Sequence, residues 1–443
     1  MIAFARVRWT LTALLLVSAT LVVAPAAGQS TGDGTIYSRF GVGELYTFSS
    51  PRSQAMGGGG TAARSLNYTG FDNPALWGDQ VLTRMATGVN FREISATDGT
   101  GTTSELTAGM LNAIQFSFPL YSRTLGVGLG FQPYSRSNYR VVQQPDAPLV
   151  FARDTTDYQI NYEGRGGLQQ LRGGLGYRIN DAISVGASLD VIFGIIEEGV
   201  RTSFQDPRFS EANFTDATRL SGVTGTLGSL VTLSSVFTEN DNLSIGAALT
   251  LPTSLSGTRV RTLDESLDRD TLGTEVSGSV DLPWETRLGL AYQPDARWLI
   301  VLDGSYAPWS ELESSFEGRQ VGPSTFPVGG SDMMTDRIRM SGGLEFLPAG
   351  EDVLASFFSR TAYRLGGYYE RSYVSPVDGK NINVMAATAG LSLPTMLSGT
   401  RIDLNLEVGT RGTTSQNLVR DTFYGISLNV NIGERWFRER KLR

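Results

Sequence analysis

Tyr424-Gly425-Ile426-Ser427-Leu428-Asn429-Val430-Asn431-Ile432 alternates large apolar residues with small or polar ones. A strict period of two places successive side chains on opposite faces of a β-strand, so this stretch is an extended ribbon with one apolar and one polar face. The residues before it repeat the pattern, with Ile402, Leu404, Leu406 and Val408 interleaved by Arg401, Asp403, Asn405 and Glu407. Further upstream, Ile338, Met340, Leu344 and Phe346 alternate with Arg337, Arg339, Ser341 and Glu345. The row Ile183, Val185, Ala187, Leu189, Val191, Phe193, Ile195 is longer still.

A soluble sandwich alternates in the same way, so the solvent on the apolar face is decided by strand length and by the connections. Candidate strands lie near 81-94, 109-119, 124-135, 166-179, 183-197, 221-237, 243-255, 275-292, 298-309, 335-347, 361-371, 383-394, 400-411 and 421-432, fourteen in all. They run about 11 to 16 residues where globular strands run about 5 or 6, a length that suits a tilted crossing of a bilayer. Connections near 95-108, 136-165, 199-220, 256-274, 310-334, 372-382 and 412-420 are mostly long and polar. Those near 120-123, 180-182, 238-242, 293-297, 348-360 and 395-399 are mostly short and carry turn residues such as Asn180-Asp181 and Pro294-Asp295. Long and short alternate along the chain. The expected fold class is therefore all-β, an antiparallel transmembrane barrel of fourteen strands in the outer membrane, with tight turns and both chain ends on the periplasmic side. The 348-360 connection is too long for its class.

Register follows from cost. An arginine facing lipid at mid-depth costs roughly 2 to 4 kcal/mol, so Arg337, Arg339 and Arg401 are expected to face the lumen, beside Glu345, Asp403 and Glu407, while the apolar rows meet lipid. Phe91, Tyr134, Tyr177, Tyr292, Trp298, Trp309, Phe346 and Tyr369 stand near strand ends, where interfacial aromatic girdles form or where aromatics simply pack.

Composition narrows the function. The 443 residues include 52 Gly and neither Cys nor His. Disulfides, thiolate or imidazole metal sites and the usual Ser-His or Cys-His nucleophile pairs are therefore excluded, and neither catalysis nor a cofactor is expected. Acid pairs such as Glu197-Glu198 are the sort that solvent covers. Residues 1-28 read as a cleaved signal peptide, with Arg6 and Arg8 before an apolar run from Leu11 to Val23 and small residues from Ala24 to Gly28. The net charge of -7 makes nucleic acid an unsuitable partner.

Residues 29-80 fit no strand. They are glycine-rich and contain Tyr37-Ser38-Arg39-Phe40-Gly41-Val42-Gly43-Glu44, the run Met56-Gly57-Gly58-Gly59-Gly60, and Phe71-Asp72-Asn73-Pro74-Ala75-Leu76-Trp77. The glycine run permits tight turns but lacks the Lys-Ser/Thr of a phosphate loop. Fourteen strands enclose more space than their own side chains fill, so this segment is expected to plug the lumen, with the barrel over 81-433 and a basic periplasmic tail over 434-443.

With these residues in place, the chain resembles the FadL-like outer-membrane transporters of long-chain fatty acids and hydrocarbons. The resemblance rests on Asn73-Pro74-Ala75 ahead of the first strand, on Leu282-Pro283 followed by Leu288-Gly289-Leu290-Ala291-Tyr292, and on the strand count. Ser38-Arg39-Phe40-Gly41-Val42-Gly43 and the ending Gly433-Glu434-Arg435-Trp436-Phe437 are similar to a branch found in Bacteroidota. The resemblance implies an N-terminal hatch ending in Asn73, Pro74 and Ala75. It also implies an apolar ligand pocket next to the hatch, near Phe71, Leu76 and Trp77, side chains that either line the pocket or hold the hatch together. A hydrophobic small molecule would leave sideways into outer-membrane lipid through a break in the wall. Gly126, Gly128, Gly130 and Pro133 of the third strand are candidates for that kink. The rival reading is a barrel that holds a periplasmic or secretion-system protein, since secretion-system shuttles also resemble FadL. The polar lumen and the tail Arg435-Trp436-Phe437-Arg438-Glu439-Arg440-Lys441-Leu442-Arg443, which does not end on an aromatic, keep that alternative open.

Overall fold

The computed structural model describes residues 34-435, apart from 146-147, 152-153, 264-269, 272-274, 317-325 and the single positions 329, 351, 378 and 398. The expected signal peptide, and all but the first residues of the expected C-terminal tail, lie outside the described residues.

Fourteen antiparallel staves close into one barrel. In chain order they are β1 (Thr83–Thr97), β2 (Thr103–Tyr121), β3 (Leu125–Pro133, continued by Tyr139–Gln143), β4 (Tyr158–Arg178), β5 (Ile183–Phe204), β6 (Ala212–Ser234) and β7 (Asn242–Thr250 and Thr253–Leu263). β8 (Val276–Leu282 and Glu285–Gln293), β9 (Trp298–Ala307), β10 (Arg337–Phe346), β11 (Ala362–Arg371), β12 (Asn383–Pro394), β13 (Arg401–Gly412) and β14 (Arg420–Glu434) follow. β14 pairs with β1 from Thr83↔Glu434 to Thr97↔Arg420, which closes the wall without a free edge. Each expected strand corresponds to one stave.

Alternation along the staves separates two environments. Leu189, Val223, Leu288, Leu302, Met340, Leu365 and Ile426 point outward and are exposed, in a belt that runs round the barrel. So much apolar surface fits a hydrocarbon solvent and not water. Inward positions are polar, including the buried Asp190, Asp216, Arg337, Arg364, Asp403 and Asn429.

Several staves are longer than expected. β5 and β6 stay paired from Ile183↔Val231 to Thr202↔Ala212, and β1 and β2 from Arg84↔Ser117 to Thr97↔Thr103. The polar stretches expected as the loops 95-108 and 199-220 are therefore mostly ladder. Beyond the bilayer both faces of a strand meet water, so the apolar rows stop there while the hydrogen-bonded ladder continues. The expected loop 136-165 likewise contains the second part of β3 and the start of β4.

Two aromatics expected at strand ends turn inward. Tyr134 leaves the wall after Pro133, and Trp309 follows Pro308 in a short 3-10 turn that packs it against Tyr373 at 4.4 Å. Each follows a proline, which ends the regular ladder and lets the next residue swing inside. Phe91, Tyr177, Trp298 and Tyr369 face outward as expected. Phe346 stacks on Trp298 at 4.3 Å, and Tyr292 meets Phe237 edge-on.

Candidate functional site

The chain from Gly34 to Leu82 runs inside the wall and touches stave after stave. Asn73 initiates a 3-10 turn over Pro74–Asp79, its Oδ1 accepting from the Ala75 N–H at 3.0 Å. Its Nδ2 donates to the carbonyls of Thr61 (3.0 Å) and Ser229 (2.9 Å), tying the turn to β6. Pro74 and Ala75 lie against Gly186 of β5 and Gly228 of β6, where a Cβ would stand under 3.0 Å from them. The glycine run makes comparable approaches. Met56 packs on Gly343 of β10 and Gly366 of β11, and the N–H groups of Gly60 and Thr61 donate to Asp303 of β9 at 2.9 and 2.8 Å.

Phe71, Leu76 and Trp77 are buried, and none of them lines either of the two interior cavities beside the Leu45-Tyr46-Thr47 ribbon. Phe71 and Trp77 sit 5.3 Å apart, the indole N–H donates to the Gly70 carbonyl at 2.8 Å, and both rings press on β3. Gly126, Gly128 and Gly130 make that contact: added Cβ atoms there would stand 1.9 Å from the Trp77 carbonyl oxygen, 2.6 Å from the indole and 2.6 Å from the Phe71 ring. Over the same stretch β3 is paired on both sides, from Leu125 to Phe131 against β2, with one register shift between Leu125 and Gly126, and to Pro133 against β4. In this structure the three glycines admit the interior segment, and the ladder runs through them.

The wall breaks one step later. After Pro133 the chain bends inside, and Ser135–Arg136 pairs with Glu44–Leu45 of the interior segment in a two-stranded ladder. Hydrogen bonds from Tyr134 N–H to Leu168 O (2.8 Å), from Leu168 N–H to Ser135 Oγ (3.4 Å) and from Ser137 N–H to Gly166 O (3.0 Å) connect the bend to β4 before the stave resumes at Tyr139. β2 changes at the same level. A bulge at Asn112 turns its side chain inward, where its Oδ1 accepts from the Tyr46 hydroxyl and its Nδ2 donates to Asn429 Oδ1, both at 2.8 Å. The last pair between β2 and β3 is Ile114↔Phe131. Among the described residues no ladder joins Thr103–Ala113 to Tyr139–Gln143, so the wall between β2 and β3 is unzipped over its outer half.

A cavity of about 120 Å³ lies directly behind the break, bounded by Ala108 and Met110 of β2, Arg136 and Asn138 of the bend, and the interior residues Glu44 and Tyr46. The lining of this cavity is mixed, with Ile94, Val374 and Val384 contributing apolar surface. Arg92, Arg339, Arg411, Glu370 and Glu407 line the cavity too, because the inner faces of the staves that surround it are the polar ones. Arg92 bridges Glu44 (3.3 Å) and Glu407 (3.0 Å), Arg411 also holds Glu44, and the Tyr368 hydroxyl donates to Glu407 at 2.7 Å. Burial pushes the Glu44 carboxyl up, but Arg411 and Arg92 outweigh it and hold the group below the usual carboxylate range. A second cavity of about 60 Å³ lies across the Leu45-Tyr46-Thr47 ribbon, beside Tyr134, Arg172 and Arg287.

Arg337, Arg339 and Arg401 face the lumen as expected, with other partners than expected. Arg337 and Arg339 share Glu370 at 2.9 and 2.8 Å, and Arg401 donates to Ser392 Oγ and to the Arg360 carbonyl. Glu345 is held by Arg52 of the interior segment and, at 2.6 Å, by Arg364, which also reaches Asp403 at 2.8 Å. Sequence reasoning missed Arg364, Arg92 and the inward bend. The signal for the bend is Pro133 followed by Tyr134-Ser135-Arg136-Ser137-Asn138, where the apolar alternation lapses within a stave.

Comparisons with known proteins agree with this architecture. The chain is similar to the toluene transporter TodX of P. putida, with 17% identity and a TM-score of 0.56 over 89% of this chain and 100% of that one. The "CymD monoaromatic hydrocarbon channel" gives 15%, 0.55, 89% and 100%, and the Ralstonia pickettii toluene transporter TbuX 16%, 0.54, 88% and 99%. At these identities the likeness is one of fold. Among curated proteins nothing matches. A family model described as BamG matches residues 10–443.

Proposed function

The chain belongs to the BamG family, and on that premise we propose that it is a passive outer-membrane conduit for hydrophobic small molecules, long-chain fatty acids or hydrocarbons. Residues from the end of the signal peptide to Gln80 act as a hatch that blocks the axial path, and cargo leaves sideways between β2 and β3. The observation that carries this reading is the unzipped wall opening beside an interior cavity, with Ala108 and Met110 at the mouth. An apolar molecule gains nothing from a water-filled axis, whereas a gap in strand pairing lets it partition directly into acyl chains. The likeness to the toluene transporters TodX and TbuX and to the monoaromatic hydrocarbon channel CymD supports the same cargo class.

The test is Ala108→Trp, which fills the mouth from β2, compared with the outward-facing Ala387→Trp on β12 as a size control. Uptake of toluene and of oleate is measured in cells whose only conduit of this kind is the protein. Ala108→Trp is expected to reduce uptake by about tenfold, a loss of roughly 1.4 kcal/mol in the passage step, with Ala387→Trp unaffected. Equal uptake by both variants and the parent overturns the lateral route.

A further inference from the structure

The connection 347-361 between β10 and β11 breaks the rule of tight turns at its end of the barrel, and it is not a slack loop. The Ala349 N–H donates to the Ser359 carbonyl at 2.7 Å, Asp352 Oδ1 accepts from the Leu354 N–H at 2.9 Å, and Ser356 caps a one-turn helix over Phe357–Arg360. This fixed frame displays apolar side chains. Val353 is 77% exposed, Leu354 92% and Phe358 74%, and Met396 of the neighbouring turn is fully exposed.

Two hydrogen bonds place the frame. From the lumen side, Arg401 donates to the Arg360 carbonyl at 2.8 Å; from the outer side, the hydroxyl of Tyr363, an outward-facing residue of β11, donates to the Phe358 carbonyl at 3.4 Å. The short helix therefore sits directly under the wall with its Phe358 end on the outside. It continues the outward apolar belt, which on these staves includes Tyr363, Leu365 and Leu391, and Tyr363 is paired with Phe346 of the stacked Trp298–Phe346 pair. Another turn at this end with exposed apolar residues, Val236-Phe237, also leans outward, Phe237 meeting Tyr292 edge-on at 5.6 Å.

We propose that residues 347-350 and 352-361, together with residues 395-397 of the next turn, form an apolar foot seated among the acyl chains of the membrane leaflet at the short-turn end of the barrel, so that its occupant is lipid. Continuity with the lipid-facing belt selects lipid over a second protein: Phe358, whose carbonyl accepts from the outward-facing Tyr363, stands where the belt ends and on its side of the wall. Large apolar groups on a rigid, weakly charged frame at a membrane boundary partition into the interface. The foot fixes the depth of β10–β13 in the bilayer and gives the overlong connection a role that the conduit reading leaves unassigned.

The chain has no Cys, so a single introduced thiol is unique. Leu354→Cys and Phe358→Cys, made in the full chain and labelled with bimane, are compared with Asp181→Cys in the turn between β4 and β5, where the parent side chain is fully exposed. Each protein is placed in phosphatidylethanolamine-phosphatidylglycerol nanodiscs with nitroxides near the head-group end of the acyl chains, after heat-modifiable migration has shown it to be folded. Quenching by at least about twofold is expected at 354 and 358, and almost none at 181. Quenching at 354 and 358 equal to that at 181 overturns the proposal. So does a thiol that nitroxide lipids do not reach but that is shielded from an impermeant maleimide in native membranes, which would identify a protein as the occupant.

Discussion

Gly128 and Trp77 are in direct apposition: a Cβ on the glycine would stand 2.6 Å from the indole. The contact couples wall to interior segment, so the size of one residue limits the other. Gly128→Val is expected to destabilise the folded barrel by about 1 to 3 kcal/mol through overpacking, and Trp77→Ala by about 3 to 5 kcal/mol through the cavity it leaves. The double variant should be less destabilised than the two single effects combined, since the alanine removes the ring that the valine strikes. Urea unfolding of the four proteins, followed by heat-modifiable migration, measures the coupling. Strict additivity would mean that the segment is not seated on β3 as described.

Arg364 is deeply enclosed, with 1% of its side chain exposed, between Glu345 and Asp403 and beneath the Tyr68 ring. Removing one partner of a buried cluster strands the others without compensation, at a cost of about 3 to 5 kcal/mol. Arg364→Ala is expected to lose that much, and Arg364→Lys to recover only part of it, because an ammonium cannot reproduce the guanidinium's paired donors. Equilibrium unfolding in detergent checks both. A lysine variant as stable as the parent would show that charge alone, without the fork of donors, holds the cluster.

What the sequence discloses and what it hides have a common physical basis. Rows such as Ile183 to Ile195 and Tyr424 to Ile432 are legible because lipid on one face and polar lumen on the other enforce strict alternation. Where both faces meet water, as from Arg201 to Phe204, a strand has no apolar row to mark it and reads as loop. Asn73-Pro74-Ala75 is legible as the end of an interior segment from its place before β1, yet its bond to Ser229 joins residues 156 apart and has no local signal. The partner of Arg337 and Arg339 is hidden for a related reason. Glu345 is the nearest acid along the same stave, whereas the acceptor, Glu370, stands on the adjacent stave, in register set by the whole ladder.

Glu44 makes the interior ribbon sensitive to acid. Burial raises its carboxyl and Arg411 and Arg92 lower it further than burial raises it, so the folded value lies under the unfolded one, about 4.5. A depressed carboxylate contributes stability that is fully present above the unfolded value and is lost as pH falls through the folded one. Thermal stability is expected to decline below about pH 4.5, and Glu44→Gln should flatten part of that decline while lowering stability at neutral pH. Melting curves from pH 3 to 7 provide the comparison. A parallel decline in parent and variant would remove Glu44 from the account.

The inward bend of β3 depends on Gly43. Its φ of +100° lies in the region that favours glycine, and a Cβ there would stand 2.6 Å from the Arg136 carbonyl oxygen. Gly43→Val therefore strains the backbone and pushes Glu44–Leu45 off Ser135–Arg136, the ladder that holds the bend inside. The barrel should still form, because Leu125–Pro133 remains paired on both sides and β14 still closes on β1. The bend itself should come loose. A reporter thiol at the buried Ser137, introduced as Ser137→Cys, is expected to react roughly tenfold faster with a soluble maleimide in the Gly43→Val background, as local opening predicts, and uptake of toluene should fall because the mouth beside Ala108 is no longer held to shape. If labelling rises while uptake is unchanged, the bend is a packing feature that cargo does not use. If neither changes, the interior ribbon does not hold the break open at all.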